Sequence, residues 1–287
     1  MNQKKLSILL GLLTITLWGS LATFSRLLIH LPPFYQLGVA FILGGLFSLR
    51  KPKEIFPSLK LFLWGTLGYF AYHFFLFYAF RYAPAVEANL INYLWPLLLV
   101  LLTPLFYHEK KLRFYHVLGG LLAVLGCVVL LSGNGLQFKS DALKGYLLAF
   151  AAAWTWPLYS LTKKKMPSTS VWAIGGFCFG AGILCLITHA LIEPLVRPIE
   201  RDLFLIFVMG IGPFGIAFYT WDLAMEKGDP RVIGALTYLT PILSTLGLVI
   251  FTGEKLNFHT FVAMGLIIGG ASTGLLDLFS VKIKPGA

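Results

Sequence analysis

Asn89, Asn92, Tyr93 and Pro96 recur at i, i+3, i+4 and i+7 inside an otherwise apolar stretch, the spacing of one helix face. Amides and a phenol placed among leucines need partners, because lipid offers them none. Such a stripe either bonds a neighbouring helix or lines a cavity. A related stripe, Gly234, Thr237, Tyr238 and Pro241, stands 145 residues later, and this recurrence favours the cavity. A second concentration lies upstream: nine aromatic side chains plus His73 between positions 69 and 82, with Phe70, His73, Phe74, Phe77, Tyr78 and Arg81 on one face. The later face Gly215, Phe218, Tyr219 and Asp222 corresponds to it. Trp18 with Thr14, then Trp95, Trp154, Trp156 and Tyr159, add further rings with N–H or O–H donors. Rings with such donors suit a flat, partly apolar ligand, and they also attract organic cations.

The ionisable residues fit binding better than catalysis. His73 stands in the middle of its stretch and is read as a hydrogen-bonding group for a ligand rather than a proton carrier. Asp222 is expected near a helix end, with its charge reaching water. Arg26 and Arg81 either snorkel at helix ends or attract a carboxylate there. The six histidines form no H-x-x-x-H, and there is no phosphate loop, no G-x-S-x-G and no pair of carboxylates deep in an apolar stretch. No enzyme activity, metal or cofactor is therefore expected. Cys127, Cys178 and Cys185 all lie in apolar stretches. The last two are about 10 Å apart along one helix, too far to bridge, and all three read as small core residues.

These groups are positioned by a chain that is 57% hydrophobic and 12% charged, with a mean hydropathy of +0.80. A membrane-crossing helix needs roughly 20 mostly apolar residues. Ten stretches approach that length: 6–28, 33–49, 60–81, 86–106, 114–132, 144–162, 170–191, 203–224, 231–252 and 258–279. The connections are short, the longest being those between stretches 2 and 3 and between 7 and 8, so no soluble domain is expected. The first stretch begins with Lys4 and Lys5 but lacks a small-residue cleavage site, and it is read as a span rather than a leader. The net charge of +11 is not a nucleic-acid footprint. With a cytoplasmic N-terminus, 16 of the 23 Lys and Arg fall on the cytoplasmic side, including Lys163–Lys165. This bias places both termini in the cytoplasm.

The chain repeats itself. YLWPLLLVLLTPLFYHEK (93–110) aligns with YLTPILSTLGLVIFTGEK (238–255) at 8 of 18 positions, including Tyr93/Tyr238, Pro96/Pro241 and the closing Glu109-Lys110/Glu254-Lys255. The Glu-Lys pairs read as topological anchors or ion pairs within their own loops. Gly65 and Ala79 match Gly210 and Ala224 at the same offset, and Trp18 meets Trp154 at an offset of 136. Stretches 1–5 thus repeat as 6–10. Five is odd, so the halves cross the membrane in opposite directions. The expected fold is an all-α integral membrane protein of ten transmembrane helices in two inverted five-helix repeats, residues 1–135 and 136–287, with a site between them. Stretches 5 and 10 carry Gly119, Gly120 and Gly126, and Gly265, Gly269, Gly270 and Gly274. This small-residue spacing serves either internal packing of 5 against 10 or a homodimer; a monomer is the expected state.

AFRYAPA (79–85) and AMEKGDP (224–230), each leading to Y-L-x-P (93–96 and 238–241) and then Glu-Lys, resemble the EamA-type drug/metabolite transporters over nearly the whole chain. Asn92-Tyr93-Leu94-Trp95-Pro96, with His73 and the Trp154/Trp156 pair, is similar to the aromatic amino-acid exporter branch of that family. Trp156-Pro157 departs from the first repeat, which has Ser20-Leu21 there. The resemblance implies secondary export of aromatic amino acids and related metabolites across the inner membrane by alternating access, with a broad drug, organic-cation or general amino-acid exporter as the alternative. It implies His73, Tyr78, Asn92, Trp95, Trp154 and Trp156 as lining residues, with Asn89, Tyr93 and Tyr238 behind them.

Overall fold

The computed structural model describes residues 2–131, 140–166, 169–252 and 258–276. Helical backbone lies on each of the ten apolar stretches, and no strand occurs among the described residues. The first stretch is α1 (Gln3–Gly19) followed by α2 (Leu21–Leu27), and the second is α3 (Pro33–Gly45) with a 3-10 extension. A single turn, α4 (Pro52–Ile55), lies in the connection between stretches 2 and 3, with Pro52 at its first position. Then come α5 (Leu59–Tyr82), α6 (Ala85–Asn92), α7 (Trp95–Phe106) and α8 (Phe114–Leu131). The second half holds α9 (Leu143–Lys165), α10 (Ala173–Ile192), α11 (Glu200–Ile211), α12 (Ala217–Lys227), α13 (Pro230–Thr237), α14 (Thr240–Thr252) and α15 (Phe258–Gly274).

The interruptions have local causes. Pro96 and Pro241 each stand in the first turn of a helix, where a missing N–H costs nothing, and the chain turns just ahead of them. At the first break Tyr93 N bonds Asn89 O at 2.9 Å and Leu94 N bonds Ile91 O at 3.1 Å. At the second, Tyr238 N reaches Ala235 O at 3.4 Å and Leu239 N bonds Leu236 O at 3.0 Å. Asn92 and Tyr93 therefore do not share one continuous helix face, which corrects the simple i, i+3, i+4, i+7 reading. Pro213 sits in a π-helical turn (212–216) between α11 and α12. By contrast Pro157 lies inside an unbroken α9, whereas the corresponding stretch of the first half breaks at Ser20.

Packing is dominated by α8 on α15, α5 on α9 and α10, α3 on α10 and α11, α1 on α12 and α14, and α7 on α9 and α13. Helices in lipid gain little from apolar burial against each other, so close approach and hydrogen bonds carry association. The α8–α15 contact shows this. A Cβ on Gly119 would lie 2.6 Å from Gly270 O, and one on Gly270 would lie 2.5 Å from Ala123 N. Gly265 and Gly269 on the same helix meet nothing within 4 Å. The glycines of these two stretches thus split between internal packing and an open face.

Large apolar side chains point outward, among them Leu63, Leu67, Leu121, Phe204, Phe207 and Phe261, while Thr14, His73, Asn92, Lys163 and Asp222 are buried. That inverts the pattern of a water-soluble protein. Among the described residues, five helices or helix pairs are long and apolar enough to cross a bilayer, and α8 and α15 are shorter apolar helices. The protein is a multi-pass membrane protein. Lys110 Nζ lies 3.4 Å from Asp229 Oδ2, so it pairs with the turn before α13 rather than within its own loop. Glu254 and Lys255 lie outside the described residues. The three cysteines are free and buried.

Candidate functional site

Four helices from both halves of the chain bring indoles together. Trp18 of α1 is the hub: its ring centroid is 5.2 Å from Trp221, 5.7 Å from Trp156, 6.1 Å from Phe218 and 6.3 Å from Trp95. Its Nε1 donates to Pro213 O at 3.2 Å, using a carbonyl of the π-helical turn. Such turns recur at functional sites because they release backbone groups and re-aim side chains. Trp156 of α9 meets Tyr69 and Tyr72 of α5, each at 5.5 Å, and Phe218 at 5.7 Å. Trp95, Trp156 and Trp221 are 7%, 3% and 1% exposed. The rings expected to line a cavity beside the Asn92 stripe are packed against one another.

Polar groups punctuate the rings. His73 Nδ1 lies 2.7 Å from Tyr69 O. The carbonyl can only accept, so Nδ1 carries a proton and Nε2 of the neutral ring is left as an acceptor. Phe41, Tyr72 and Phe214 surround the imidazole at 5.0, 4.9 and 5.6 Å. Asn92 Nδ2 donates to Tyr72 Oη at 3.3 Å. Asn92 Oδ1, Trp156 Nε1 and Trp154 Nε1 are buried without a hydrogen-bond partner. Buried polar atoms are bonded in the great majority of cases, and each exception costs roughly 1–3 kcal/mol. Two donors and an acceptor left open among rings are suited to a ligand that carries both an anionic and a cationic group.

The nine residues picked from sequence separate into three places. His73, Asn92, Trp95 and Trp156 converge on the aromatic core. Tyr78 and Trp154 stand at its margins: Tyr78 stacks on Phe74 at 4.8 Å beneath Arg81, and Trp154 meets Phe150 at 6.1 Å. Tyr93 and Tyr238 belong to a second cluster with Leu97, Cys127, Ile242 and Ile267, against α8 and α15. Asn89, half-buried, lies one turn before Tyr93. On α5 the core-facing residues are Tyr69, Tyr72 and His73, whereas Phe74 and Phe77 turn toward Phe34 of α3. The glycines explain that choice. Gly65 and Gly68 let α5 press on Phe177 and Tyr159, where a Cβ would come within 2.3 and 2.7 Å. Tyr69 and Tyr72 continue that face. The pair Gly65/Gly68 was a signal available in the sequence for Tyr69 and Tyr72; Trp221 had none beyond its residue type.

Below the core, Lys163 Nζ lies 3.1 Å from both carboxylate oxygens of Asp222, with both side chains under a tenth exposed. Asp222, expected to reach water with its charge, is instead held in this largely buried pair, which corrects that expectation. The neighbouring Trp221 Nε1 donates to Ser160 Oγ at 3.1 Å. A recess of ≈ 210 Å³ opens beside the ion pair. Farther out, Asp229 caps α13 by accepting from Arg231 N at 3.0 Å and holds the Arg231 guanidinium at 2.8 Å. Burial pushes the Asp229 carboxyl up, but the Arg231 hydrogen bonds and charge, with Lys110, outweigh it and hold it below its ordinary range.

The EamA-like transporter family matches residues 5–132 and again residues 143–273. An Ancylobacter novellus protein named aromatic amino acid exporter YddG is 37% identical over 283 residues, covering 93% of this chain and 96% of its own. The Escherichia coli protein of the same name is 25% identical, over 92% and 94%. A Salmonella typhimurium protein named probable amino-acid metabolite efflux pump is 27% identical, over 96% and 95%. A solved crystal structure superposes with a TM-score of 0.92 at 36% identity, covering 98% of this chain and all of that one, 100%.

Proposed function

The chain belongs to the EamA-like transporter family, and on that premise we propose that it exports phenylalanine, tyrosine, tryptophan and related metabolites across the bacterial inner membrane by alternating access. It is a transporter rather than an enzyme. The observation that carries the reading is the ring-lined core in which Trp156 Nε1 and Asn92 Oδ1 are buried and unpartnered. A zwitterionic aromatic amino acid supplies the missing groups. Its carboxylate accepts from the indole N–H, its ammonium donates to Asn92 Oδ1 and to His73 Nε2, and its ring takes edge and offset contacts among the four indoles.

The architecture proposed for this cycle has ten crossings: α1 with α2, α3, α5, α6 with α7, α8, then α9, α10, α11 with α12, α13 with α14, and α15. They form two inverted units, residues 1–135 and 136–287, with both termini cytoplasmic. The packing supports it, because adding five to each crossing number returns the same contact pattern. The contact of α5 on α9 has its counterpart in α12 on α1, α7 on α9 in α14 on α1, and α10 on α5 in α3 on α11. The α8–α15 contact maps onto itself. Such a frame lets one bundle rock against the other around a fixed site. The protein is proposed to act as a monomer, with Gly119 and Gly270 committed to internal packing.

Reconstitution tests this. Purified protein in liposomes should show saturable uptake and counterflow of aromatic amino acids, measured against aliphatic amino acids and organic cations with and without a pH gradient. Movement of organic cations without aromatic amino acids would assign the ring-lined core to drug export and overturn the reading.

A further inference from the structure

The ion pair below the aromatic core is placed to recognise both ends of an amino acid. Trp156, Ser160 and Lys163 follow at i, i+4 and i+7 on one face of α9, so the indole column leads directly to the ammonium. On α12, Asp222 follows Trp221, whose indole is within 6.2 Å of Trp156 and 5.2 Å of Trp18. Lys164, the next residue, is already committed: its Nζ closes the end of α12 by donating to the carbonyls of Met225, Glu226 and Gly228. Lys163 and Asp222 have each other as counter-ions, and the ≈ 210 Å³ recess they help line gives a ligand access to them. Its volume is below the roughly 300–1,000 Å³ of a drug-sized pocket. It suits a small zwitterion's head group.

A buried pair cannot lose one member without leaving an uncompensated charge, which is far more costly than keeping the pair. A molecule with a single charge can replace only one partner and so incurs that penalty. An α-amino acid carries both charges. Its carboxylate takes Lys163, its ammonium takes Asp222, and no charge is left alone. We infer that Lys163 and Asp222 form a zwitterion-recognising entry site, and that exchange of their mutual ion pair for the substrate's two charges unlatches α9 from α12. The inference rests on the export reading above.

The test compares phenylalanine with phenethylamine, which lacks the carboxylate, and 3-phenylpropionate, which lacks the ammonium, in proteoliposomes. Wild-type protein should favour phenylalanine over both. Lys163→Met and Asp222→Asn should shift selectivity in opposite directions, the first toward the amine and the second toward the acid. The double variant K163M/D222N leaves no lone charge. It should remain monodisperse in detergent yet lose at least about tenfold of the preference for phenylalanine, since a site built to bond a group rejects analogues lacking it. The double variant carries the test where a single variant does not purify. Analogue ratios within about twofold of wild type would show that the pair only staples two helices, and would overturn the proposal. A wild-type protein that carries none of the three compounds refutes the export reading itself, and the entry site with it.

Discussion

Trp156→Phe separates a binding donor from a packing ring. The indole N–H is buried with no partner, so its removal breaks no protein hydrogen bond and relieves a desolvated donor worth roughly 1–3 kcal/mol. Against that gain stands lost contact. The ring packs on Trp18 at 5.7 Å, Tyr159 at 5.4 Å and Tyr69 and Tyr72 at 5.5 Å, and aromatic pairs contribute about 0.5–1.5 kcal/mol each beyond their area. A phenyl ring retains part of those contacts, so the two effects nearly cancel and thermal stability in detergent should change little. Substrate binding should not be spared. A hydrogen bond from the indole to a carboxylate is worth about 1.5–3 kcal/mol, which converts to roughly a 10- to 150-fold weaker affinity. The assay is paired: thermal unfolding of the purified variant, and phenylalanine binding by titration calorimetry. A melting point that falls steeply while affinity holds would refute the reasoning, because it would make Trp156 a packing residue whose N–H never meets the substrate. Trp154→Phe, with an equally unpartnered N–H but its ring against Phe150, serves as the comparison and should lose less.

Three further outcomes are expected. Gly119→Leu should destabilise the protein by about 1–3 kcal/mol or more through overpacking, because its Cβ would meet the Gly270 backbone at 2.6 Å; Gly269→Leu, with nothing within 4 Å, should stay within about 0.5 kcal/mol in the same thermal assay. Asp229→Asn should lower the melting point at neutral pH. The native carboxyl titrates below its ordinary value, so its contribution is fully present above about pH 4 and is lost as pH falls through the depressed value, and the gap between wild type and variant should close on acidification. Reporter fusions at residues 1 and 287 should both score cytoplasmic, and either one outside would sink the proposed orientation.

The elements were easier to read from sequence than the side-chain directions. Apolar length placed helices, and the two breaks fall just ahead of Pro96 and Pro241, where proline leaves the carbonyl four residues back unbonded. The breaks then undid part of the site reading. Once the chain turns at Tyr93 and Tyr238, those phenols swing to the α8–α15 cluster while Asn92 stays with Tyr72. Periodicity counts a continuous helix and cannot follow that rotation. On α5 nearly every position is aromatic, so ring type could not name the inner face; the small residues Gly65 and Gly68 did. Lys163 and Asp222 are 59 residues apart. Each alone reads as a charge near a helix end, and only the packing of α9 on α12 makes them a pair.

Repeat pairs that share a residue type need not share a role. Trp18 and Trp154 are equivalent by offset, yet Trp18 is the hub of the core and Trp154 stands at its edge. Asn92 keeps an open oxygen, whereas its partner Thr237 turns its hydroxyl onto Gly234 O at 2.6 Å. The ends of the molecule differ in the same way. The offsets that align the halves set Lys163 against Leu27 and Asp222 against Phe77. The ion pair therefore has no charged counterpart in the first half. A zwitterion can exchange charges with Lys163 and Asp222 but not with Leu27 and Phe77, so substrate binding lowers the cost of parting α9 from α12 alone. A ligand shifts an equilibrium only by its differential interaction with the two states. The asymmetry therefore does not by itself drive transport. It assigns recognition of the amino-acid head group to the Lys163 end.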